Sequence, residues 1–314
     1  MKTPRIVIVG SSNTDMVVKA DRIPGVGETV TGGQFVMVPG GKGANQAVAA
    51  ARLGAQVTFV AKVGQDLLGS QAIAGYQKEN ILTDWITVDS ALPTGVALIL
   101  VGAQGDNLIS VASGANHALR PADVDKAADQ IRHADMLVLQ LEIPLETVEH
   151  AAALAAGAGV PVLLDPAPAP AGPLPHSLLK NVTYLKPNET EAERLTGVRV
   201  VDENSARQAG ERLLAAGAKH VMITLGAKGA VVIERPGESH WLAAFPVEAV
   251  DSTAAGDAFS GALACALARG DGLLQAARYA SLVGGLSTTK LGAQPSLPTE
   301  AELREYAELI GVHL

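Results

Sequence analysis

Cysteine is almost missing: Cys265 is the only one in 314 residues. An intrachain disulfide is therefore impossible, and a cysteine-built zinc site or a paired-thiol redox centre is excluded with it. The residue sits in ALACALA, where a free thiol packs as a small hydrophobe. Aromatics are scarce too, at 3% of the chain against 48% apolar residues in all, so the large core that this length permits has to be aliphatic. Basic clusters are lacking: 24 Lys and Arg stand against 32 Asp and Glu, a net charge of -8, and no run of cations is there to neutralise a phosphate backbone. Nucleic acid is not an expected partner. No apolar run reaches membrane-spanning length, and MKTPRIVIVG has neither the long apolar core nor the cleavage site of a signal peptide. A soluble, cytoplasmic protein with no membrane partner is expected. The seven His residues show no H-E-x-x-H spacing and no Ser lies in G-x-S-x-G, which excludes a zinc protease of that type and a nucleophile-elbow hydrolase.

What the chain does have is alternation. RIVIVG, QVTFVAKVG, DMLVLQL, VPVLLDP, VTYLKPN and HVMITLG are short, β-branched and nearly continuous in apolar residues, as strands covered on both faces are. Among them lie ANQAVAAARLG, ADVDKAADQIRHA, LETVEHAAALAAGAG and NSARQAGERLLAAGAK, Ala-rich and amphipathic and often closed by Gly, which predicts helices with left-handed caps. Strand and helix repeated in this way predict an α/β fold, a doubly wound, mostly parallel sheet flanked by helices. Two stretches break the rhythm. Residues 14–38 and 94–113 alternate apolar and polar residues between Gly, Pro and Asp turns, so they read as hairpin strands of one small β-sheet inserted twice. That leaves 1–13, 39–93 and 114–314 as the α/β body, with the small sheet as a lid over the carboxyl ends of its strands.

The polar motifs fall at the ends of these elements. VGSSNTD closes the first strand and puts Asn13 and Asp15 where a doubly wound sheet binds ligands; their donors and acceptors suit sugar hydroxyls, or simply a polar turn. PGGKGANQ, residues 39–46, sets glycines around Lys42 just ahead of a helix, which permits close backbone approach to a ligand or a tight turn. It is neither a Walker A loop nor a G-x-G-x-x-G fingerprint. Glu142 in LVLQLEIP follows a strand and precedes a Pro, as a carboxylate at the sheet edge or a cap. KPNETEAE puts Asn188 and Glu191 three apart at a helix start, as a capping pair or as oxygen donors for hydrated magnesium. ITLGAKGA joins two strands, so that Thr224, Gly226 and Gly229 either border a nucleotide or make a hairpin. In VDSTAAGDAFSGALACALARG, the small residues Ala254, Ala255 and Gly256 lead into a helix whose N–H groups suit an anion, and Asp257 follows directly. A base next to an anion hole is what phosphoryl transfer to an alcohol requires; an Asp favoured by the helix dipole is the plainer alternative.

GGKGANQ, N-x-x-E, DSTAAGD and KLGAQPS at 290–296 occur in an order and spacing that resemble the ribokinase-like family of sugar kinases, along essentially the whole chain. The resemblance implies ATP-dependent phosphorylation of the 5-hydroxyl of D-ribose. It implies that Asn13, Asp15, Gly41, Lys42, Asn45 and Glu142 hold the sugar, that Asp257 is the base, and that Ala254, Ala255 and Gly256 form the anion hole. Asn188 and Glu191 would serve the Mg2+ and phosphate region. Thr224, Gly226, Ala227, Lys228 and Gly229 would line the ATP site, with Ser281 in the adenine region. Asp251, Thr253, Ser287, Lys290, Gly292 and Ser296 would surround a K+ ion, several through backbone carbonyls. The resemblance implies a homodimer through the edge of the lid, and VALILVG reads as an exposed strand edge that needs such cover. Ser252 and Asp165 depart from the Thr and Asn frequent at their positions and receive no role. The same motifs suit a kinase for deoxyribose, another small sugar or a nucleoside; a catalytically silent sugar-binding regulator would be expected to lack the base.

Overall fold

The computed structural model describes residues 3–235 and 238–313. Its first strand, β1 (Arg5–Val9), shows how the main sheet arises. Ile6 and Ile8 enter one apolar cluster and Val7 and Val9 the other, so both faces are covered and the run carries no polar alternation. The remaining strands are β2 (Asn13–Lys19), β3 (Gln34–Gly40), β4 (Gln56–Gly64), β5 (Ile86–Asp89), β6 (Gly95–Val101), β7 (Asn107–Ala112), β8 (Met136–Leu139), β9 (Val162–Leu164), β10 (Tyr184–Leu185), β11 (His220–Thr224), β12 (Ala230–Arg235) and β13 (Glu238–Leu242). The helices are α1 (Lys42–Arg52), α2 (Leu67–Lys78), α3 (Pro121–Asp125), α4 (Ala128–Arg132), α5 (Leu145–Gly157), α6 (His176–Leu179), α7 (Glu189–Thr196), α8 (Glu203–Ala216), α9 (Ala255–Arg269), α10 (Leu273–Ser287) and α11 (Glu300–Leu309). The segment ADVDKAADQIRHA, expected as one helix, is divided into α3 and α4, because the Ala127 N–H turns back to the Val124 carbonyl in a tighter turn.

The nine-stranded main sheet has the order β13-β12-β11-β10-β9-β8-β1-β4-β5. Every neighbouring pair from β5 to β11 is parallel, while β12 and β13 are antiparallel additions at one edge. One face is covered by α1, α9, α10 and α11, the other by α5, α7 and α8. Helices α1 and α9 lie very close together. A Cβ on Gly261 would stand 2.7 Å from the Ala49 Cβ, so glycine at this position is what lets the two backbones approach. That contact fixes how the first turns of the two helices face each other.

The second sheet has the order β3-β2-β6-β7. Its pairs β2–β3 and β6–β7 are antiparallel, and the two halves join through parallel pairing of β2 with β6, in register from Asn13 opposite Gly95. Both expected insertions thus form one sheet, but VALILVG, expected as an exposed strand edge, falls on β6, which is paired on both sides, with β2 and with β7, so the free edges are β3 and β7. It begins only three residues past β1, so Asn13, expected in a loop, is instead the first residue of β2. Phe35, Val36, Met37, Leu98, Leu108, Ile109 and Val111 on this sheet are exposed. Among the described residues no helix is long and apolar enough to cross a membrane.

Candidate active site

Parallel strands all end on the same side, and here four of the endings deliver the polar groups of the site. Ser11 follows β1, Glu142 follows β8, Asp165 follows β9, and Lys186 and Asn188 follow β10. The edge is a natural ligand site in an open α/β sheet. A larger depression of about 510 Å³ lies at the opposite edge, between Arg5, Arg132 and Gly270, and contains none of these groups.

At the acceptor end, one oxygen of Glu142 takes hydrogen bonds from the Ser11 hydroxyl (2.5 Å) and the Lys42 N–H (3.0 Å). Gly41 caps α1 with φ +89°, and a Cβ there would sit 2.7 Å from the Asn13 nitrogen. The Asn13 carbonyl oxygen accepts from the buried Asn116 amide at 2.7 Å, which orients the Asn13 amide so that its N–H groups remain for a ligand. A cavity of about 230 Å³ opens between Asn13, Asn116, His117, Glu142 and Pro168.

Asp257 is 5% exposed. Its two oxygens accept from Asn45 Nδ2 (2.9 Å) and Gln46 Nε2 (3.0 Å), both on α1. Burial pushes its carboxyl up from the ordinary range, Lys42 opposes that, and Asp165 adds to it. The Asn45 carbonyl oxygen is buried without a partner among the described residues, an acceptor available to a bound hydroxyl. Burial alone would lower the Lys42 ammonium, but Asp257, Asp165, Glu142 and Glu191 together raise it, so it stays charged. Asp15 is pushed up to about 6 by burial and by the charges of Glu142 and Asp257.

Helix α9 starts at Ala255 with no side chain capping it. Ala254 holds the left-handed conformation (φ +61°), unusual for a residue with a Cβ, and the Ala255 N–H turns back to the Ser252 carbonyl at 3.2 Å. The Gly256 and Asp257 N–H groups have no acceptor among the described residues. Of the three residues singled out for an anion, Ala254 and Gly256 have N–H groups without an acceptor among the described residues and Ala255 is engaged within its own turn; the Asp257 N–H, which the sequence did not single out, is open beside that of Gly256.

Asn188 and Glu191 form a reciprocal capping box on α7: Glu191 N–H to the Asn188 oxygen (2.8 Å), Asn188 N–H to the Glu191 carboxylate (2.9 Å). Burial, with Asp165 behind it, raises the Glu191 carboxyl. Among the described residues no three His, Cys, Asp or Glu cluster as a direct metal cage. The oxygens of this box suit magnesium held through its waters. Thr224 lies beside Asn188 in an isolated bridge, and Gly226, Ala227 and Lys228 form a short 3₁₀ turn ending at Gly229, in the hairpin between β11 and β12. Lys228 Nζ reaches the Val201 carbonyl. Ser281 lies within α10 and donates to its own Ala277 carbonyl.

The loops around Asp251 and Gly292 are tied together. One Asp251 oxygen takes the Thr253 N–H and hydroxyl, the other the Gly292 N–H (2.8 Å). Burial works against this charge, but the bonds from Thr253 and Gly292 outweigh it and hold the carboxyl low. Ser287 and Ser296 donate to carbonyls of their own turns, and Lys290 pairs with Glu302. The carbonyls of Asp251, Thr253 and Gly292 accept no backbone hydrogen bond among the described residues, which fits a large monovalent cation.

Residues 3–300 match the model of the pfkB family of carbohydrate kinases. The chain belongs to that family. It is 44% identical to a ribokinase of Haemophilus influenzae, over 96% of this chain and 98% of that one. It is 38% identical to a deoxyribokinase of Salmonella typhi, over 97% and 99%. The structure of Arabidopsis thaliana ribokinase complexed with ribose and ATP superposes with a TM-score of 0.90 at 32% identity, covering 97% of this chain and 98% of that one. The chain is therefore a kinase with the α/β architecture that its sequence implies. Residues that the motifs left without a role are Ser11, Gln46, Asn116, Asp165 and Lys186; Gln46 and Lys186 stand inside quoted motifs, and Asn116 carried no local signal.

Asp257→Asn preserves shape and removes proton acceptance, so turnover should fall by about 10²–10⁴ with acceptor affinity little changed. Turnover assays beside calorimetry check both, and near-normal turnover would remove Asp257 from the role of base. Asp15 gives a pH dependence. If it binds the sugar, its carboxyl accepts hydroxyls more strongly and with both oxygens when ionised, so the KM for the sugar should rise as pH falls through about 6, and Asp15→Asn should flatten that rise. The linkage has the opposite sign for folding: a raised native value contributes stability below 3.8 that is lost as pH climbs through about 6.

Proposed function

We propose that this kinase transfers the γ-phosphoryl group of ATP to the 5-hydroxyl of D-ribose. The observation that carries the reading is the head of α9, where a buried carboxylate held by Asn45 and Gln46 stands beside two open N–H groups. Asp257 takes the acceptor proton as the new O–P bond forms and the bond to the leaving oxygen breaks. The Gly256 and Asp257 N–H groups hold the charge on the transferred group throughout. Asn13, Asp15, Gly41, Lys42, Asn45 and Glu142 read the sugar, and the second sheet, as a lid spanning 14–38 and 94–113, shields it from water.

On the nucleotide side Thr224, Gly226, Ala227, Lys228 and Gly229 border ATP. Asn188 and Glu191 would hold Mg2+ through its waters, where it neutralises phosphate charge. The loops carrying Asp251, Thr253, Ser287, Lys290, Gly292 and Ser296 would hold K+, which fixes the backbone ahead of α9. The exposed apolar side chains of the lid, Phe35 and Leu98 among them, support a homodimer formed through that sheet. A single buried thiol accords with a cytoplasmic protein.

Deoxyribose is the second reading, favoured by the full-length likeness to a deoxyribokinase. A panel of ribose, 2-deoxyribose, fructose and adenosine, with kcat/KM for each, separates them. Ribose should lead, because a missing hydroxyl strands a buried partner at about 1–3 kcal/mol. A tenfold lead for deoxyribose or the nucleoside would overturn the assignment. Exchanging potassium for sodium or tetramethylammonium at constant ionic strength should lower kcat more than it weakens binding; equal rates in all three salts would leave no role for the ion.

A further inference from the structure

Behind the base lies a buried ion pair that the proposed chemistry does not use. Asp165 and Lys186 are each 3% exposed at the side chain, with Lys186 Nζ 2.9 Å from Asp165 Oδ2. That single oxygen also accepts from Gln46 Nε2 (3.0 Å) and from the Ser260 hydroxyl (3.0 Å), while Asp165 Oδ1 is buried without a partner. An ion pair with an orphaned oxygen is a poor way to stabilise a core, since apolar residues of similar volume are often at least as stable.

The partners of Asp165 explain its presence better. We infer that Asp165 is a positioning residue for phosphoryl transfer, aiming the base through Gln46 and the peptide at the head of α9 through Lys186 and Ser260. Gln46 Nε2 has two hydrogens, and it spends one on Asp165 and the other on Asp257 Oδ1. Its orientation is fixed from behind, because Gln46 Oε1 accepts from Gln140 Nε2 at 2.7 Å. Ionised carboxylates only accept, so the amide nitrogen has to face both.

The second branch runs to the Gly256 carbonyl. Lys186 Nζ donates to it at 3.1 Å, and the Ser260 hydroxyl lies 2.9 Å from it. One hydroxyl proton cannot serve both Asp165 and Gly256, so the ammonium is needed to satisfy the two together. The Gly256 carbonyl shares a rigid peptide plane with the Asp257 N–H. Holding that oxygen holds one of the two open N–H groups and the Cα from which the base projects. Both branches meet at Asp165 Oδ2, and preorganised donors matter most in the transition state.

The inference rests on Asp257 being the base, and the test keeps the two apart. The measurements are kcat, both KM values and thermal melting for the parent, Asp165→Asn, Lys186→Met and the double variant, with the acceptor that the parent uses best. A parent inactive on every sugar would overturn the kinase assignment itself. With an active parent, each single variant should lose up to about 100-fold in kcat while the KM values for sugar and ATP stay within about twofold. Each single change also strands a buried charge and should lower the melting temperature. The double variant strands none, so it should regain the melting temperature but not kcat, and its kcat should be no lower than that of the worse single variant, because both residues act through one path. A double variant whose kcat recovers along with its stability would make the pair structural and overturn the inference. So would full kcat in Asp165→Asn, or a loss confined to KM.

Discussion

A carboxylate shut away from water has to be held by donors, and in this molecule those donors come from a different helix. Asn45 and Gln46 stand on α1, more than two hundred residues before Asp257 on α9, and each supplies one hydrogen bond to it. The bonds exist only because the two helices lie nearly in backbone contact, which Gly261 against Ala49 permits. Their alignment is in turn fixed by the aliphatic layer beneath, where Ala44, Ala47, Val48, Ala258 and Ala262 are fully buried. Small side chains in that layer are thus a requirement of the chemistry above it, because larger ones would part the helices and strand the acid.

The charges around this contact balance only as a group. Lys42 is drawn upward by four carboxylates, while Asp15 is pushed toward neutrality by burial, Glu142 and Asp257, and Asp257 by burial and Asp165. Lys186 adds a second buried cation on the far side of Asp257. A group this crowded resists further negative charge, so on the proposed reading a triphosphate approaching the head of α9 would depend on the open N–H groups and on the cations it brings with it.

Most of the architecture was legible because its signals are local. The uninterrupted run Ile6–Val9 and the Ala-rich helical stretches each reveal the surroundings of their own segment, and the glycine-flanked Lys42 and the AAGD turn mark candidate positions by residues only a few places apart. What escaped depends on distance along the chain or on backbone geometry. The parallel pairing of β2 with β6 joins segments about eighty residues apart and leaves no pattern in either. Asp165 and Lys186 end different strands and meet only because β9 and β10 are neighbours. The exchange of the Ala255 N–H for that of Asp257 follows from the left-handed Ala254, a conformation its side chain does not announce.

The pairing of Asn13 with Gly40 places the start of β2 beside the end of β3, so the hairpin has both its ends at the acceptor cavity. Asn13 and Asp15 leave by one strand, and Gly41 and Lys42 follow directly from the other. The hairpin and four of the residues proposed to read the sugar, Asn13, Asp15, Gly41 and Lys42, are consequently one piece of chain. On the proposed reading, any movement of the small sheet carries Asn13 and Asp15 with it, and a sugar held by both Asp15 and Lys42 would tie the sheet down at its root. On that reading a nucleotide bound without sugar would meet an incomplete enclosure, which would leave transfer to water disfavoured.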